Sequence, residues 1–422
     1  MSQRRAFTYE NGLLLILGLS FGIAFFDRNA AGILVPFIEK DLALSNTQVF
    51  ALGSGLSLTW ALGAYFIARW SDASGVRKPF LLGFLLIFSA CSFLSGIAQS
   101  YQMLLLSRLL MGAVEGPFLP VCLAIMTLES SEHRRGINAG IMQNFFAALL
   151  GQSLAPTFLV GLAQHFGWRS AFYIAGIPGL VFAVVVALWV REPAKTQPAA
   201  QASPAVAGGG EHMGLIAMLR VRNIALCSAI AVFMVTWFVM GWNFYPKYFI
   251  DVRHVAGETM GSLMATLGIA SMCAAFVAPA LSDRIGRKPV MIAFCLLGVL
   301  TPLAVMYFQG STTVLGTLMF LGWLASGSFP LYMGVIPSET ISRRYAATAM
   351  GLVVGIGEVI GGAGINWVAG RIADVWSPQT TLLMSVGCCL VSAVLCLFLV
   401  ETAPVKVRAA AAQGLRPAPG LQ

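Results

Sequence analysis

The chain has 422 residues, of which 58% are hydrophobic and 10% charged, and its formal net charge is +9. A soluble domain carries about 25% charged residues, so the composition excludes an ordinary soluble fold. Apolar runs of about 20 residues recur from end to end, each long enough to cross a bilayer as a helix.

The hydropathy pattern predicts an all-α membrane protein with twelve transmembrane helices in two pseudo-symmetric six-helix bundles. The first six spans are expected at 12–37, 47–70, 79–98, 101–128, 136–163 and 168–190. The second six follow at 223–249, 257–282, 289–309, 312–337, 344–372 and 379–400. Residues 1–191 then form an N-terminal bundle, 192–221 a linker, 222–401 a C-terminal bundle and 402–422 a tail. The linker reading rests on "EPAKTQPAAQASPAVAGGGEH", which is rich in Ala, Pro and Gly and has no hydrophobic period. All eight cysteines fall within spans without metal-ligand spacing, so they read as small apolar fillers. Neither a metal nor a cofactor is expected.

Positive charge is distributed unevenly between the two sides. Of the 26 Lys and Arg residues, 19 lie on the side of the termini and of the central linker. Five lie opposite (Lys40, Arg169, Lys247, Arg253, Arg371), and Arg28 and Arg108 fall inside spans. This bias places both termini in the cytoplasm, with a bacterial inner membrane as the expected location. It also accounts for the net charge without nucleic acid as a partner.

The halves repeat. "SDASGVRKP" at 71–79 returns as "SDRIGRKP" at 282–289. Gly112, Pro120 and Glu129 correspond to Gly322, Pro330 and Glu339, each 210 residues later. Parallel repeats of this kind, with a site near the bilayer midplane, are a transporter architecture.

Three carboxylates lie deep in spans: Asp27, Glu115 and Glu358. A charge at a helix centre costs about 2.5–3.5 kcal/mol on insertion scales, so each needs a partner or a proton. Arg108 and Glu115 are seven residues apart and share one face of the fourth span. Asp27 and Arg28 are adjacent and point about 100° apart, so they cannot meet one partner along the same line. A carboxyl held between desolvation and an arginine can take up and release a proton. An arginine presents bidentate donors to a carboxylate. The same four residues also suit a buried salt-bridge network that ties the first and fourth spans together.

The two repeated loops resemble the signature of the major facilitator superfamily, through Asp72, Gly75, Arg77, Lys78 and Asp283, Arg284, Gly286, Arg287, Lys288. Ala68, Pro279, Ala73 and Val76 depart from that signature. "FFDRNAAG" and "SRLLMGAVEGPFLP" are further similar to the anion:cation symporter family within it. The resemblance implies proton-coupled symport of an organic anion, such as a sugar acid or hydroxy acid, by alternating access. Asp27 and Glu115 would couple protons, Arg28 and Arg108 would serve anion recognition or ion pairing, and the loops would form a cytoplasmic gate. It also implies a monomer whose partners are a small anion, protons and the lipid bilayer.

The C-terminal half offers softer candidates. Asn243 and Tyr245 lie beside Pro246, and Asn and Tyr can bind substrate hydroxyls, though aromatics at a span end equally suit the interfacial belt. Gln143 and Asn144 in the fifth span suit either substrate contact or interhelical hydrogen bonds. Glu358 sits in a Gly-dense helix suited to close packing and is carried as a further substrate contact. No nucleotide loop, HExxH or GxSxG occurs, so no enzyme is expected and no residue is assigned a catalytic role. The rival readings are a spinster-like exporter of amphiphiles or lipids and a drug:proton antiporter.

Overall fold

The computed structural model describes residues 2–131, 134, 138, 140–192, 214–342 and 345–407. Most of the expected linker and the last residues of the tail lie outside these, as do the side chains of Asp72 and Ala73. Among the described residues, twelve helices are long and apolar enough to cross a membrane. They are α1 (Tyr9–Leu42), α2 (Asn46–Ile67), α3 (Lys78–Gly96), α4 (Tyr101–Glu129), α5 (Ile141–Phe166) and α6 (Trp168–Trp189). The second set is α7 (Arg222–Val252), α8 (Gly257–Ile285), α9 (Arg287–Tyr307), α10 (Thr312–Thr340), α11 (Thr348–Val375) and α12 (Pro378–Leu397).

Local chemistry explains where helices begin. Ser100 opens α4 by accepting from the Met103 N–H, and Ser311 opens α10 by accepting from the Val314 N–H. Such caps satisfy amides that a helix leaves unpaired in its first turn. The turns before α3 and α9 place Gly75 at φ +67° and Gly286 at φ +112°, where a side chain would be strained. The carboxylate that caps each of these helices comes from the chain just after the last span of its half. Glu192, just after α6, accepts from the Arg77 and Lys78 amides at 2.7 and 2.8 Å. Glu401, just after α12, accepts from the Arg287 and Lys288 amides at 2.8 and 3.1 Å. Asp283 instead pairs with Arg287, whose Nη2 donates to Glu339 at 2.8 Å. Lys78 Nζ donates to the Ala187 carbonyl at 2.7 Å, and Arg284 is exposed.

Packing divides the chain into two units, Met1–Pro198 with Trp242–Met272, and Ala199–Gly241 with Cys273–Gln422. In the first unit, α4 lies almost backbone to backbone on α2. A Cβ added at Gly112 would stand 2.3 Å from the Leu56 carbonyl oxygen, and one at Gly116 would stand 2.0 Å from that of Trp60. This "GAVEG" stripe is the small-xxx-small pattern that lets membrane helices approach closely.

Both units also carry a π-helical stretch at matching places. In the first it is Ala147–Leu154 of α5, and in the second Gly357–Ile365 of α11. A widened turn frees a carbonyl that another donor must satisfy. Asn29 Nδ2 on α1 donates to the Gly151 carbonyl at 2.8 Å. Gly361, 210 residues after Gly151, accepts from Asn366 Nδ2 at 2.8 Å, with Thr236 Oγ1 of α7 at 3.2 Å.

Candidate functional site: a wall of paired charges on α1 and α4

The four charges predicted to line the site meet in the first unit, and the helix geometry sorts them. Asp27 and Arg28 leave α1 in different directions. Asp27 is fully buried, and its Oδ1 accepts from Ser92 Oγ of α3 at 2.7 Å. Arg108, two turns before Glu115 on α4, is 1% exposed and interacts electrostatically with Asp27. Its Nη2 donates to Ser95 Oγ at 2.6 Å, and Ser95 in turn lies 2.9 Å from Ser107 Oγ. Its guanidinium stands 5.4 Å over the Phe172 ring of α6.

Arg28 takes the other side. Its Nη1 stands 3.9 Å from Glu115 Oε2. Its guanidinium lies 5.5 Å from the Phe25 ring centre and 5.6 Å from that of Trp60. The close α2–α4 packing at Gly116 is what brings Trp60 there. The acid of α1 is thus balanced by the base of α4, and the base of α1 by the acid of α4.

Both pairs are only partly satisfied. Neither Glu115 oxygen accepts a hydrogen bond, although Glu115 is 5% exposed. Asp27 Oδ2 and the Nε and Nη1 of Arg108 are likewise unmatched. Buried polar groups without partners are costly, so Asp27, Arg108 and Glu115 are poor material for a purely structural brace. They are well suited to exchange a proton or to receive an ion.

The softer candidates scatter. Asn243, on the part of α7 that packs in the first unit, fills the space left by two glycines: a Cβ at Gly53 would stand 2.6 Å from its Nδ2, and one at Gly32 2.8 Å from its Oδ1. Tyr245 is fully buried. Pro246 lies just before a π-helical turn at Tyr248–Val252, beside which Lys247 pairs with Glu39 of α1 and, at 3.2 Å, with Asp251. Gln143 is exposed and Asn144 half-buried on the wide turn Ile141–Phe145, and neither hydrogen-bonds to the charges. Glu358 belongs to the second unit, where it is half-buried and interacts with the buried Tyr332.

Sequence reasoning missed Ser92, Ser95, Asn29 and Trp60. A signal for the serines exists: Ser89, Ser92 and Ser95 recur every third residue on an otherwise apolar helix. Trp60 carries no such signal, because only the α2–α4 contact brings it to Arg28.

Two repeats of six spanning helices, one of them holding a buried wall of charges, define a multi-pass membrane transporter rather than an enzyme. The family description "Major Facilitator Superfamily" matches residues 17–364, and the chain belongs to that family. A probable 4-methylmuconolactone transporter of Cupriavidus pinatubonensis is 28% identical over 355 residues, covering 81% of this chain and 78% of that one. The hexuronate transporter of Bacillus subtilis is 27% identical over 289 residues, 67% of each chain. A crystal structure of a bacterial homolog of the human lysosomal transporter Spinster superposes with a TM-score of 0.77 at 18% identity, covering 92% of this chain and 96% of that one. At that identity the likeness speaks for the fold alone.

Proposed function

We propose that the chain is a secondary transporter that moves a small organic anion together with protons by alternating access, with both termini in the cytoplasm of a bacterial cell. The observation that carries this reading is the loose pair of Arg28 and Glu115, a buried carboxylate 3.9 Å from an arginine and without a hydrogen bond on either oxygen. In the ionised state Glu115 occupies the attention of Arg28. A proton taken up by Glu115 ends that attraction and leaves the guanidinium to hold a substrate carboxylate through its paired N–H groups. Release of the proton on the other side restores the internal pair and expels the anion. Asp27 and Arg108, which act on each other electrostatically, supply the second acid and base, Asn243 and Tyr245 are candidate hydroxyl contacts, and the repeated loops close the cytoplasmic end. The Phe25 and Trp60 rings leave an apolar collar around the cation, which favours an anion with an apolar or ring-shaped body. The names of the two relatives are compatible with a carboxylate of that size.

The test is proton movement in proteoliposomes perfused with sugar acids, hydroxy acids, aromatic acids and amphiphilic anions. Inward proton movement evoked by one acid class, and lost in Glu115→Gln, is expected. Silence toward every small anion from folded protein sinks the symporter and brings lipid or drug export forward.

A further inference from the structure

Ser92 stands between Asp27 and the backbone of α6. Its Oγ lies 2.7 Å from Asp27 Oδ1 and 2.9 Å from the Phe172 carbonyl oxygen. Both distances are those of hydrogen bonds, yet a serine hydroxyl has a single proton to give. A carbonyl only accepts, and an ionised carboxylate only accepts. With Asp27 ionised, therefore, the hydroxyl can serve Asp27 or Phe172 but not both. With Asp27 protonated, the carboxyl O–H donates to Ser92 Oγ and the serine proton is free for Phe172. Both contacts are satisfied only in that state.

The surroundings give this rotor something to act on. Phe172 is fully buried on α6, and its ring is the one that packs under the Arg108 guanidinium. Ser95, one turn along α3 from Ser92, receives the Arg108 Nη2. The residue whose carbonyl takes the serine proton thus also touches the arginine that balances Asp27. Groups acting electrostatically with Asp27 are Arg108 and Glu115 of α4 and Cys91 of α3, with Arg28 its neighbour on α1. Neither α2 nor α5 carries an Asp, Glu, Lys or Arg, and the one such side chain of α6, Arg169, is engaged by Asp41.

We propose that Ser92 is a positioning residue that reads the protonation state of Asp27 and passes it to α6 by gaining or losing the hydrogen bond to the Phe172 carbonyl. The inference rests on the proton-coupled reading above, because it gives the proton on Asp27 a mechanical consequence.

Protons alone are a sufficient probe, so no substrate need be known. Infrared pH titration of the purified full chain in lipid would follow the carboxylic C=O band of Asp27, assigned by its loss in Asp27→Asn. Amide exchange across 168–178 would be measured over the same pH range and expressed as protection, that is, corrected for the intrinsic base-catalysed rate at each pH. In wild type, exchange in this stretch is expected to change with pH together with the Asp27 band. In Ser92→Ala the band should shift to higher frequency and the exchange should lose its pH dependence, whereas Ser92→Thr, which keeps the hydroxyl, should restore both. An Asp27 band unmoved by Ser92→Ala, or α6 exchange that still follows its titration, overturns the relay. So does α6 exchange that ignores pH in the wild type. Proton movement in proteoliposomes that survives Asp27→Asn is a separate result, which removes Asp27 from coupling; relay failure with proton movement intact leaves the symporter standing.

Discussion

The two halves of the molecule are built on the same device and filled with different chemistry. In each, a π-helical turn presents a glycine carbonyl, Gly151 in α5 and Gly361 in α11, and the fifth helix of the repeat lies tightly on the first. A Cβ at Gly151 would stand 2.6 Å from that of Phe25, and one at Gly361 would stand 2.2 Å from the Val232 carbonyl oxygen. On the neighbouring stretch of the first helix, one half has Asp27 and Arg28. The positions 210 residues later are Trp237 and Phe238. There the Trp237 ring lies 4.4 Å from that of Trp323, its Nε1 donates to the Gly298 carbonyl, and Phe238 joins the same aromatic cluster. One scaffold therefore holds together well with aromatics alone. The charges of the first half are an addition that packing does not require, and that is the strongest argument that they serve transport.

The comparison breaks most visibly if the two positions are emptied. Arg28→Gln is expected to cost transport roughly 30- to 5,000-fold, because removing one partner of a desolvated charge contact costs about 2–5 kcal/mol in binding. Its effect on stability should be small, since a 3.9 Å pair with an unbonded carboxylate is a weak strut. Trp237→Ala should do the reverse, lowering stability by about 3–5 kcal/mol through the cavity it leaves. Thermal unfolding in detergent, set beside transport per folded molecule, separates the two. An Arg28→Gln protein that melts as early as Trp237→Ala would make the charges structural after all.

The glycine pair sharpens the comparison at intermediate cost. Adding a methyl where the backbone already touches forces a displacement of about 1–3 kcal/mol. Gly361→Ala should show more of it, since its new Cβ would stand 2.2 Å from a facing carbonyl oxygen, against 3.0 Å from that of Phe25 for Gly151→Ala. Gly151→Ala meets Phe25, two residues from Asp27, so it should disturb transport more than its stability loss would suggest. Equal transport defects in the two variants would mean that the wide turns matter as hinges and not through the charges beside them.

Much of this was legible in the sequence because it follows from period and composition. The twelve spans came from apolar length, the repeat from a constant offset, and the buried charges from their strangeness in an apolar run. Geometry also followed where helix phase decides it: Asp27 and Arg28 diverge, and Arg108 and Glu115 share the interior face. What was not legible depends on contacts between residues far apart in the chain. Asn29 reaches across 122 residues to Gly151, and no local pattern announces a π turn whose carbonyl it satisfies. Composition left Gln143 and Asn144 equally suited to substrate contact or interhelical hydrogen bonds, and only the fold shows that their turn leaves Gln143 exposed and Asn144 half-buried.

The loops give the mildest and cleanest test, because there the halves match most closely. The carboxylates that cap the helices after the loops are Glu192 and Glu401, 209 residues apart, each arriving from the end of its half to accept two amides of α3 or α9. A cap of this kind is worth about 0.5–2 kcal/mol. Glu192→Gln and Glu401→Gln should each lower stability within that range, with transport per folded molecule largely kept. Glu401 also accepts from the Thr402 and Ala403 amides, so its loss should be the larger. A double variant whose effect is the sum of the two would show that the caps act independently. A double variant that falls short of or exceeds that sum would mean that the matched ends of the two halves are energetically coupled.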